Sequence, residues 1–140
     1  MWSVTEASLE EYEIPERLRY TREHEWARLE ENRIIVGVTD YAQRELGDIV
    51  FVELPAAGTA VEAGEPFGVI ESVKAVSDLY APVTGEIVEV NSGLVERPEA
   101  VNEDCYGDGW LVAVGVESSD EYEALLDAEA YRQHLAETKR

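Results

Sequence analysis

The sequence predicts one mostly β domain with the architecture of a sandwich or barrel. Short apolar runs recur along the chain, and segments that contain Gly or Pro separate them, as in DIVFVELP, PFGVIESV, GEIVEVN and GWLVAVGVE. This spacing of short strands and turns is typical of packed or closed β-sheets. With 140 residues, the chain is long enough to form a single domain with a substantial core.

The N-terminal third contains the first predicted elements. LRYTREHEWARLE and RIIVGVTD are predicted to be strands joined by a turn at Glu31–Asn32. TDYAQRELGD is predicted to be a short internal helix that Thr39 or Asp40 caps and Gly47 ends. Residues 1–16 are acidic and weakly patterned, so we expect a loosely ordered lead before a single domain that spans residues 17–140.

Two of the β runs are similar and suggest an internal repeat. The segment Gly47–Val52 aligns with Gly85–Val90, and each is followed by a loop that contains Gly and Pro and then by a returning apolar run. Two similar β units can pack about a pseudo-two-fold axis. The link between them would then be a tight hairpin at one end of the molecule, and Lys74 lies in that link.

The C-terminal segment is predicted to be a helix at about 119–137. Ser118 and Glu121 have the spacing of a capping box. Apolar residues then recur at helical spacing from Tyr122 to Leu135, which predicts one face that packs on the sheet.

The net charge of −20 argues against two classes of partner. Such an acidic surface repels nucleic-acid phosphates and anionic membranes, and no apolar stretch approaches the length of a membrane span. We interpret the charge as a halophile-like adaptation to high salt, with a basic partner as the alternative. The N-terminus lacks the features of a secretory signal or transit peptide, so a cytoplasmic location is expected.

The sequence lacks the motifs of several common enzyme and metal-binding classes. His24-Glu25-Trp26 lacks the second histidine of a zinc-binding HExxH helix, and GEPFGVIESVK lacks the Gly-Lys-Ser/Thr of a phosphate-binding loop. NEDCYGDGWLVA lacks the fifth- and twelfth-position ligands of a calcium loop. Cys105, the one cysteine, is interpreted as a packed or incidental thiol and not a reactive one. We therefore expect neither a catalytic constellation nor a metal site.

Lys74 stands out because lysine is nearly absent from the chain. Lys74 and Lys139 are the two lysines, and the other nine of the 11 basic residues are arginine. The residues around Lys74 are apolar (Val73, Ala75 and Val76), which is unusual for an exposed turn. A primary amine at a rigid hairpin end can form an amide with a carried group, as in lipoamide and biotin carriers. The alternative is an ordinary solvated lysine.

The segment GVIESVKAVSDLYAPVTGEIVEVN resembles the lipoyl-lysine segment of the glycine cleavage system H protein family. LRYTREHEWARLE, IIVGVTDYAQRELGDIVFVELPAAGTAVEAGEPFGVIESVKA and VNEDCYGDGWL resemble the same family in the same order, from about Ile14 to Tyr131. The tip Val73-Lys74-Ala75 differs from the Met-Lys-Met of biotin carriers and the Asp-Lys-Ala of acyltransferase lipoyl domains. The resemblance implies a lipoyl/biotinyl-type hybrid barrel sandwich with a short internal helix and a C-terminal helix.

The resemblance also implies a carrier function without catalysis. A lipoate ligase, or a lipoyl or octanoyl transferase, would attach lipoate covalently to Lys74. The arm would take an aminomethyl group from a pyridoxal-phosphate glycine decarboxylase to an aminomethyltransferase that uses tetrahydrofolate. A dihydrolipoyl dehydrogenase would then reoxidise the reduced dithiol. Tethering raises the effective concentration of the group at each partner.

By position, the resemblance assigns four further residues. Glu25 and Asp78 would contact the loaded arm in its cleft through charge-assisted hydrogen bonds, the alternative being that both are ordinary surface acids. Glu71 and Gly85 would belong to the recognition surface for lipoylation. Two positions depart from the family pattern: Glu45 stands where some members have a histidine, and Cys105 replaces a turn proline.

Two other functions stay open. An H-like lipoyl relay would hand lipoate to other complexes and would have the same fold. An unmodified β-sandwich binding module would make Lys74 incidental. Retention of Glu25, Asp78 and the complete C-terminal segment favours glycine cleavage.

Overall fold

The computed structural model of the protein describes residues 12–138. Its strands are β1 (Arg19–Tyr20), β2 (Glu25–Glu30), β3 (Arg33–Val38), β4 (Ile49–Glu53), β5 (Ala60–Val61), β6 (Pro66–Ser72), β7 (Val76–Tyr80), β8 (Gly85–Val90) and β9 (Val112–Gly115). Its helices are α1 (Asp40–Leu46), α2 (Ala100–Glu103), α3 (Asp120–Glu123) and α4 (Ala128–Thr138), with a 3₁₀ turn at Ser92–Val95.

The strands form two antiparallel sheets. The six-stranded sheet has the order β1-β2-β3-β9-β8-β5, and the three-stranded sheet has the order β4-β6-β7. The prediction of a mostly β domain with a short internal helix and a helical C-terminus is therefore confirmed. Within residues 12–138, no helix is long and apolar enough to cross a membrane.

Strand β3 of the larger sheet is buried on both faces. Ile34, Val36 and Val38 of β3 face the smaller sheet, whereas Ile35 faces the C-terminal helix. This explains the unbroken apolar run of β3, since alternate side chains enter two different cores. Gly37 is part of the same arrangement, because a Cβ on it would lie 2.5 Å from the indole ring of Trp26.

The segment LRYTREHEWARLE, predicted as one strand, forms two. β1 pairs antiparallel with β2, with Tyr20 opposite Trp26. The chain reverses at Thr21–His24, where the N–H of His24 donates to the carbonyl of Thr21 at 3.2 Å and His24 has φ of +77°. The predicted turn at Glu31–Asn32 is confirmed, since β2 ends at Glu30 and β3 begins at Arg33.

The internal repeat has a structural counterpart. The repeat alignment places Ile49 of β4 on Ile87 of β8, and both strands have an irregular register directly after this residue. Each strand also pairs antiparallel with the apolar run that returns after its loop, β4 with β6 and β8 with β9. The two units thus depart from regular pairing at the same position of the repeat, on different sheets.

The C-terminal segment contains two helices, where the sequence predicted one at about 119–137. The predicted capping box does not form, because the N-cap of α3 is Ser119 and the Glu121 carboxylate accepts two hydrogen bonds from Thr84 instead. α4 packs through Ala128, Tyr131 and Leu135. α4 thus has the predicted apolar face that packs on the sheet.

The predicted N-terminal lead spans residues 1–16, and its residues 1–11 lie outside the described part of the chain. In its described part, Ile14 is buried against α4. The N–H of Glu13 donates to Oδ2 of Asp40 at 2.9 Å, and the hydroxyl of Tyr20 donates to the carbonyl of Pro15 at 2.6 Å. Residues 13–15 are therefore attached to the domain.

Candidate functional site

Lys74 lies at the tip of the hairpin between β6 and β7. The N–H of Ser72 donates to the carbonyl of Ala75 at 2.8 Å, so the turn has Val73 and Lys74 as its two central residues. Oγ of Ser72 accepts hydrogen bonds from the N–H groups of Lys74, at 3.2 Å, and Ala75, at 3.1 Å. Ser72 is buried, whereas Lys74 is exposed. The backbone under the lysine is thus fixed while its amine faces solvent.

A second turn, at Gly47–Asp48, binds the tip of the hairpin. The N–H of Val73 donates to the carbonyl of Asp48 at 3.1 Å. The neighbouring Gly47 ends α1 with φ of +83°, a conformation that favours glycine. A Cβ on Gly47 would lie 3.7 Å from Cε of Lys74, so the lysine methylenes pass over a residue without a side chain.

Asn102 fixes this second turn. Its Oδ1 accepts from the N–H of Ile49 at 2.9 Å, and its Nδ2 donates to the carbonyl of Gly47 at 2.9 Å. Nδ2 also donates to Oε1 of Gln43 at 2.9 Å. Asn102 has no signal of this role in the sequence, because only the fold brings it next to Gly47. Ser72 does have one, since serine beside a turn is a known signal, and its role was not predicted.

Within the described part of the chain, the Lys74 amine has no carboxylate partner, since no ion pair there includes Lys74.

Glu25 is a buried acid at the start of β2, with 2% of its surface exposed. Its Oε1 accepts from Oγ1 of Thr21 at 2.6 Å, and its Oε2 accepts from the N–H of Tyr80 at 3.0 Å. Desolvation raises the pKa of Glu25 from its ordinary value of 4.5 to about 8, although these two hydrogen bonds act in the opposite direction. Glu25 thereby joins the larger sheet to β7, the edge strand of the smaller one.

Two of the other predicted site residues, Asp78 and Glu71, lie on the strands of the hairpin, and the third, Gly85, lies on β8. Asp78 is exposed on β7, two residues before Tyr80, whose N–H binds Glu25. Glu71 lies near the end of β6 beside the tip, opposite Val76. Gly85 begins β8, so the whole of β7 separates it from Lys74.

Gly85 has a packing requirement of its own. A Cβ there would lie 2.1 Å from the carbonyl oxygen of Gly115 and 2.8 Å from Cγ1 of Val114. Only glycine allows β8 and β9 to approach so closely without a backbone shift.

The two departures from the family pattern lie in different places. Glu45 is exposed on α1, two residues before Gly47. Cys105 is buried, as the sequence analysis expected for a packed thiol, and its carbonyl accepts from Nε1 of Trp26 at 2.9 Å. Burial raises the pKa of the Cys105 thiol to about 12, which disfavours the reactive thiolate.

His24, next to Glu25, contacts a tyrosine hydroxyl of α4. Its Nδ1 lies 2.9 Å from the hydroxyl of Tyr131, which also lies 2.8 Å from Oγ1 of Thr39. Desolvation and the nearby His134 lower the pKa of His24 to about 4. Among residues 12–138, no group of three or more His, Cys, Asp or Glu side chains is placed to hold a metal ion.

Comparisons with known proteins agree with this geometry. The family model described as Glycine cleavage H-protein matches residues 18–138. The glycine cleavage system H protein of Rubrobacter xylanophilus is 60% identical over 125 residues, which cover 89% of this chain and 97% of that protein. The probable glycine cleavage system H protein of Natronomonas pharaonis is 54% identical, with 89% and 98% covered.

A solved structure shows the same fold. The crystal structure of a glycine cleavage system H protein from Mycobacterium marinum has a TM-score of 0.79 and 42% sequence identity, and the match covers 86% of this chain and 97% of that chain. The predicted hybrid barrel sandwich agrees with this likeness. The chain belongs to the glycine cleavage H-protein family.

Proposed function

We propose that this protein is the lipoyl carrier of the glycine cleavage system and that lipoate is attached to Nζ of Lys74 as an amide. The observation that supports this function most directly is the exposed Lys74 in a two-residue turn whose backbone amides bind Ser72. A fixed turn defines where the arm starts, and an exposed amine can enter the active site of an acylating enzyme. The chain itself acts as carrier and not as catalyst.

The surface at Lys74 fits an attached arm. Gly47 has no side chain beneath the lysine methylenes, so the arm can lie along this surface or leave it. When attached, lipoate supplies a reducible pair of sulfur atoms that takes up the aminomethyl group of glycine and is later reoxidised.

Four kinds of partner belong to this proposal. They are a pyridoxal-phosphate glycine decarboxylase, an aminomethyltransferase that uses tetrahydrofolate, a dihydrolipoyl dehydrogenase, and a lipoate ligase or lipoyl or octanoyl transferase. Glu71 is proposed to contact the lipoylating enzyme, because it lies beside the tip on β6. Gly85 is proposed to act indirectly, since it permits the close β8–β9 contact.

Glu25 and Asp78 are proposed to contact the amine of the loaded arm. Asp78 is exposed on β7 and can form a charge-assisted hydrogen bond with an ammonium group. A cation beside Glu25 would favour its carboxylate form. Arrival of the amine would therefore displace the proton that burial retains on Glu25.

The cleft proposal predicts faster loss of the carried group from two variants. Glu25→Gln removes the carboxylate that arrival of the amine would create, and Asp78→Asn removes an exposed negative charge. Both variants keep the side-chain shape, so the loaded protein should release ammonia and formaldehyde about tenfold faster. Release is measured by a formaldehyde assay on aminomethyl-loaded protein. Glu86→Gln, an exposed acid on β8, is the matched control. Unchanged release from both test variants would reject the assignment.

Lipoate attachment is tested by intact mass and peptide mapping after coexpression with a lipoylating enzyme. We expect one lipoyl adduct on Lys74 and none on Lys139, the other lysine of the chain. Lys74→Arg should stay unmodified. An unmodified Lys74 under conditions that lipoylate a known acceptor would contradict the carrier function.

A further inference from the structure

Thr21 lies between the buried acid Glu25 and an exposed part of the chain reversal at Thr21–His24. Its Oγ1 lies 2.6 Å from Oε1 of Glu25 and accepts from the N–H of Glu25 at 3.1 Å. Its own N–H donates to the carbonyl of Glu25 at 2.9 Å. Thr21 is half-buried, whereas the next residues, Arg22 and Glu23, are exposed. The reversal thus fixes a hydroxyl group directly between a buried carboxyl group and the protein surface.

The two hydrogen-bond partners of the Glu25 carboxyl group differ in what they can do with a proton. Oε2 accepts from the N–H of Tyr80 at 3.0 Å, and an amide N–H donates but does not accept. The Thr21 hydroxyl on Oε1 can both donate and accept. Of these two partners, Thr21 is therefore the one that can take the proton of Glu25.

We propose that Thr21 is a positioning residue for Glu25 and that its hydroxyl carries the carboxyl proton of Glu25 to and from solvent. This inference rests on the proposed contact between Glu25 and the amine of the loaded arm. Glu25 cannot give its proton to an amine that arrives as an ammonium group. The proton must therefore reach water before the ion pair forms, and the Thr21 hydroxyl provides a path with one intermediate oxygen.

The Thr21 hydroxyl fits both protonation states of Glu25. In the carboxylate state, the hydroxyl of Thr21 donates to Oε1. In the acid state, the O–H on Oε1 donates to Oγ1, and the hydroxyl hydrogen of Thr21 points away from Glu25. On ionisation the Oε1–H bond breaks as a new Oγ1–H bond forms, and the former hydroxyl hydrogen of Thr21 passes to water. A carboxylic acid and water become a carboxylate and hydronium, and Thr21 is unchanged.

The other titratable groups around Glu25 do not bond to its carboxyl group in the described part of the chain. Nδ1 of His24 lies 2.9 Å from the hydroxyl of Tyr131 on α4. Desolvation lowers the pKa of His24 to about 4 and burial raises the pKa of Tyr131, so both are neutral when Glu25 titrates. On β3 the residue opposite Glu25 is the apolar Val38. The remaining groups are exposed acids: Glu23 in the reversal and Asp78 on β7.

The test follows the Glu25 proton in the full-length protein without lipoate. Exposed carboxyl groups are ionised at neutral pH, so the infrared carbonyl band of a protonated acid reports Glu25, and its loss in Glu25→Gln verifies the assignment. A photoacid lowers the pH from above to below the titration midpoint of this band. The growth of the band then gives the rate at which Glu25 takes up a proton.

The variants separate the hydroxyl of Thr21 from its packing. Thr21→Val and Thr21→Ala remove the hydroxyl in two different sizes, and Thr21→Ser keeps it without the methyl group. Thr84→Val is the matched control, because Oγ1 of Thr84 donates to Oε2 of Glu121 at 3.0 Å on the exposed surface.

We expect the band to grow about tenfold more slowly in Thr21→Val and Thr21→Ala than in wild type, with its midpoint at higher pH, because the carboxylate loses a donor. Thr21→Ser and Thr84→Val should stay within about twofold of the wild-type rate. On loaded protein, the two variants without the hydroxyl should release ammonia and formaldehyde about tenfold faster, because the carboxylate forms less readily.

A wild-type rate in Thr21→Val and Thr21→Ala would overturn the proposal. A slow rate in Thr21→Ser or Thr84→Val would also overturn it, since the hydroxyl of Thr21 would then not be the cause. The proposed contact of Glu25 with the amine fails separately. Unchanged release from loaded Glu25→Gln would reject that contact, whereas the infrared rates of the protein without lipoate would still show whether Thr21 carries the proton.

Discussion

At the scale of single residues, burial gives Glu25 a property that an exposed acid lacks. Its side chain is 2% exposed and its pKa is raised to about 8, first of all by desolvation. Hydrogen bonds from Thr21 and Tyr80 stabilise its position at the edge of β7. Glu25 therefore retains its proton in the folded state at pH values where an exposed glutamate has lost it.

This raised pKa predicts a pH dependence of stability. Between pH 4.5 and about 8 the unfolded chain has released the Glu25 proton and the folded chain retains it. Stability therefore decreases as pH rises through this range, by up to roughly 1.4 kcal/mol per pH unit from this group. In Glu25→Gln the amide oxygen can accept from the N–H of Tyr80 and the amide NH₂ can donate to Oγ1 of Thr21, so the side chain can stay in place. The wild-type excess slope should disappear in this variant. Urea unfolding at several pH values measures the difference, and equal slopes in both proteins would refute it.

The sequence alone singles out Lys74 as unusual, but it gives no sign that Glu25 is buried. Lysine is scarce and the flanks of Lys74 are apolar, and both facts can be read from the chain. The contacts of Glu25 are not local, because Tyr80 lies 55 residues farther along the chain. No composition or spacing rule reports the burial of one acid among 31.

At the scale of elements, the β6–β7 hairpin depends on Ser72. Its Oγ accepts from the amides of Lys74 and Ala75, and the turn at Asp48 supports the same hairpin through Val73. The tip of the hairpin is thus held both by Ser72 and by the turn at Asp48.

Ser72→Ala should loosen the tip without unfolding the domain. It removes the acceptor of two partly solvated amides, which costs about 1 kcal/mol. Hydrogen exchange of the Lys74 and Ala75 amides should become about tenfold faster, and lipoylation should slow. Ser77→Ala, at an exposed serine on β7, is the control and should leave both rates near wild type. Unchanged exchange in Ser72→Ala would show that its hydroxyl does not hold the turn.

Elements with local signals were predicted well. Thr39 caps α1 by accepting from the N–H of Ala42, and Gly47 ends it, as the helix-boundary signals indicated. The reversal at Thr21–His24 was missed, because this stretch contains no Gly or Pro and His24 adopts positive φ through tertiary contacts. The predicted capping box at Glu121 does not form for a similar reason, because Thr84, in the loop between β7 and β8, donates two hydrogen bonds to the Glu121 carboxylate.

At the scale of the whole molecule, the repeat places Lys74 between two similar units. β4 pairs with β6 and β8 pairs with β9, each with an irregular register at the corresponding position. Lys74 lies in the hairpin that follows the first unit. The acidic composition affects solubility and partner choice more than this topology, which explains why the fold could be predicted from turn and strand patterns despite a net charge of −20.

Glycine–bicarbonate exchange with a glycine decarboxylase tests the carrier function most directly. Wild-type protein and Lys74→Arg are treated with the same lipoylating enzyme and then assayed for incorporation of labelled bicarbonate into glycine. Arginine keeps the positive charge but cannot form the amide, so exchange should occur with wild type and stay at background with Lys74→Arg. Exchange by Lys74→Arg at the wild-type rate, or an inert wild-type protein that carries lipoate, would contradict a glycine cleavage carrier acting through Lys74.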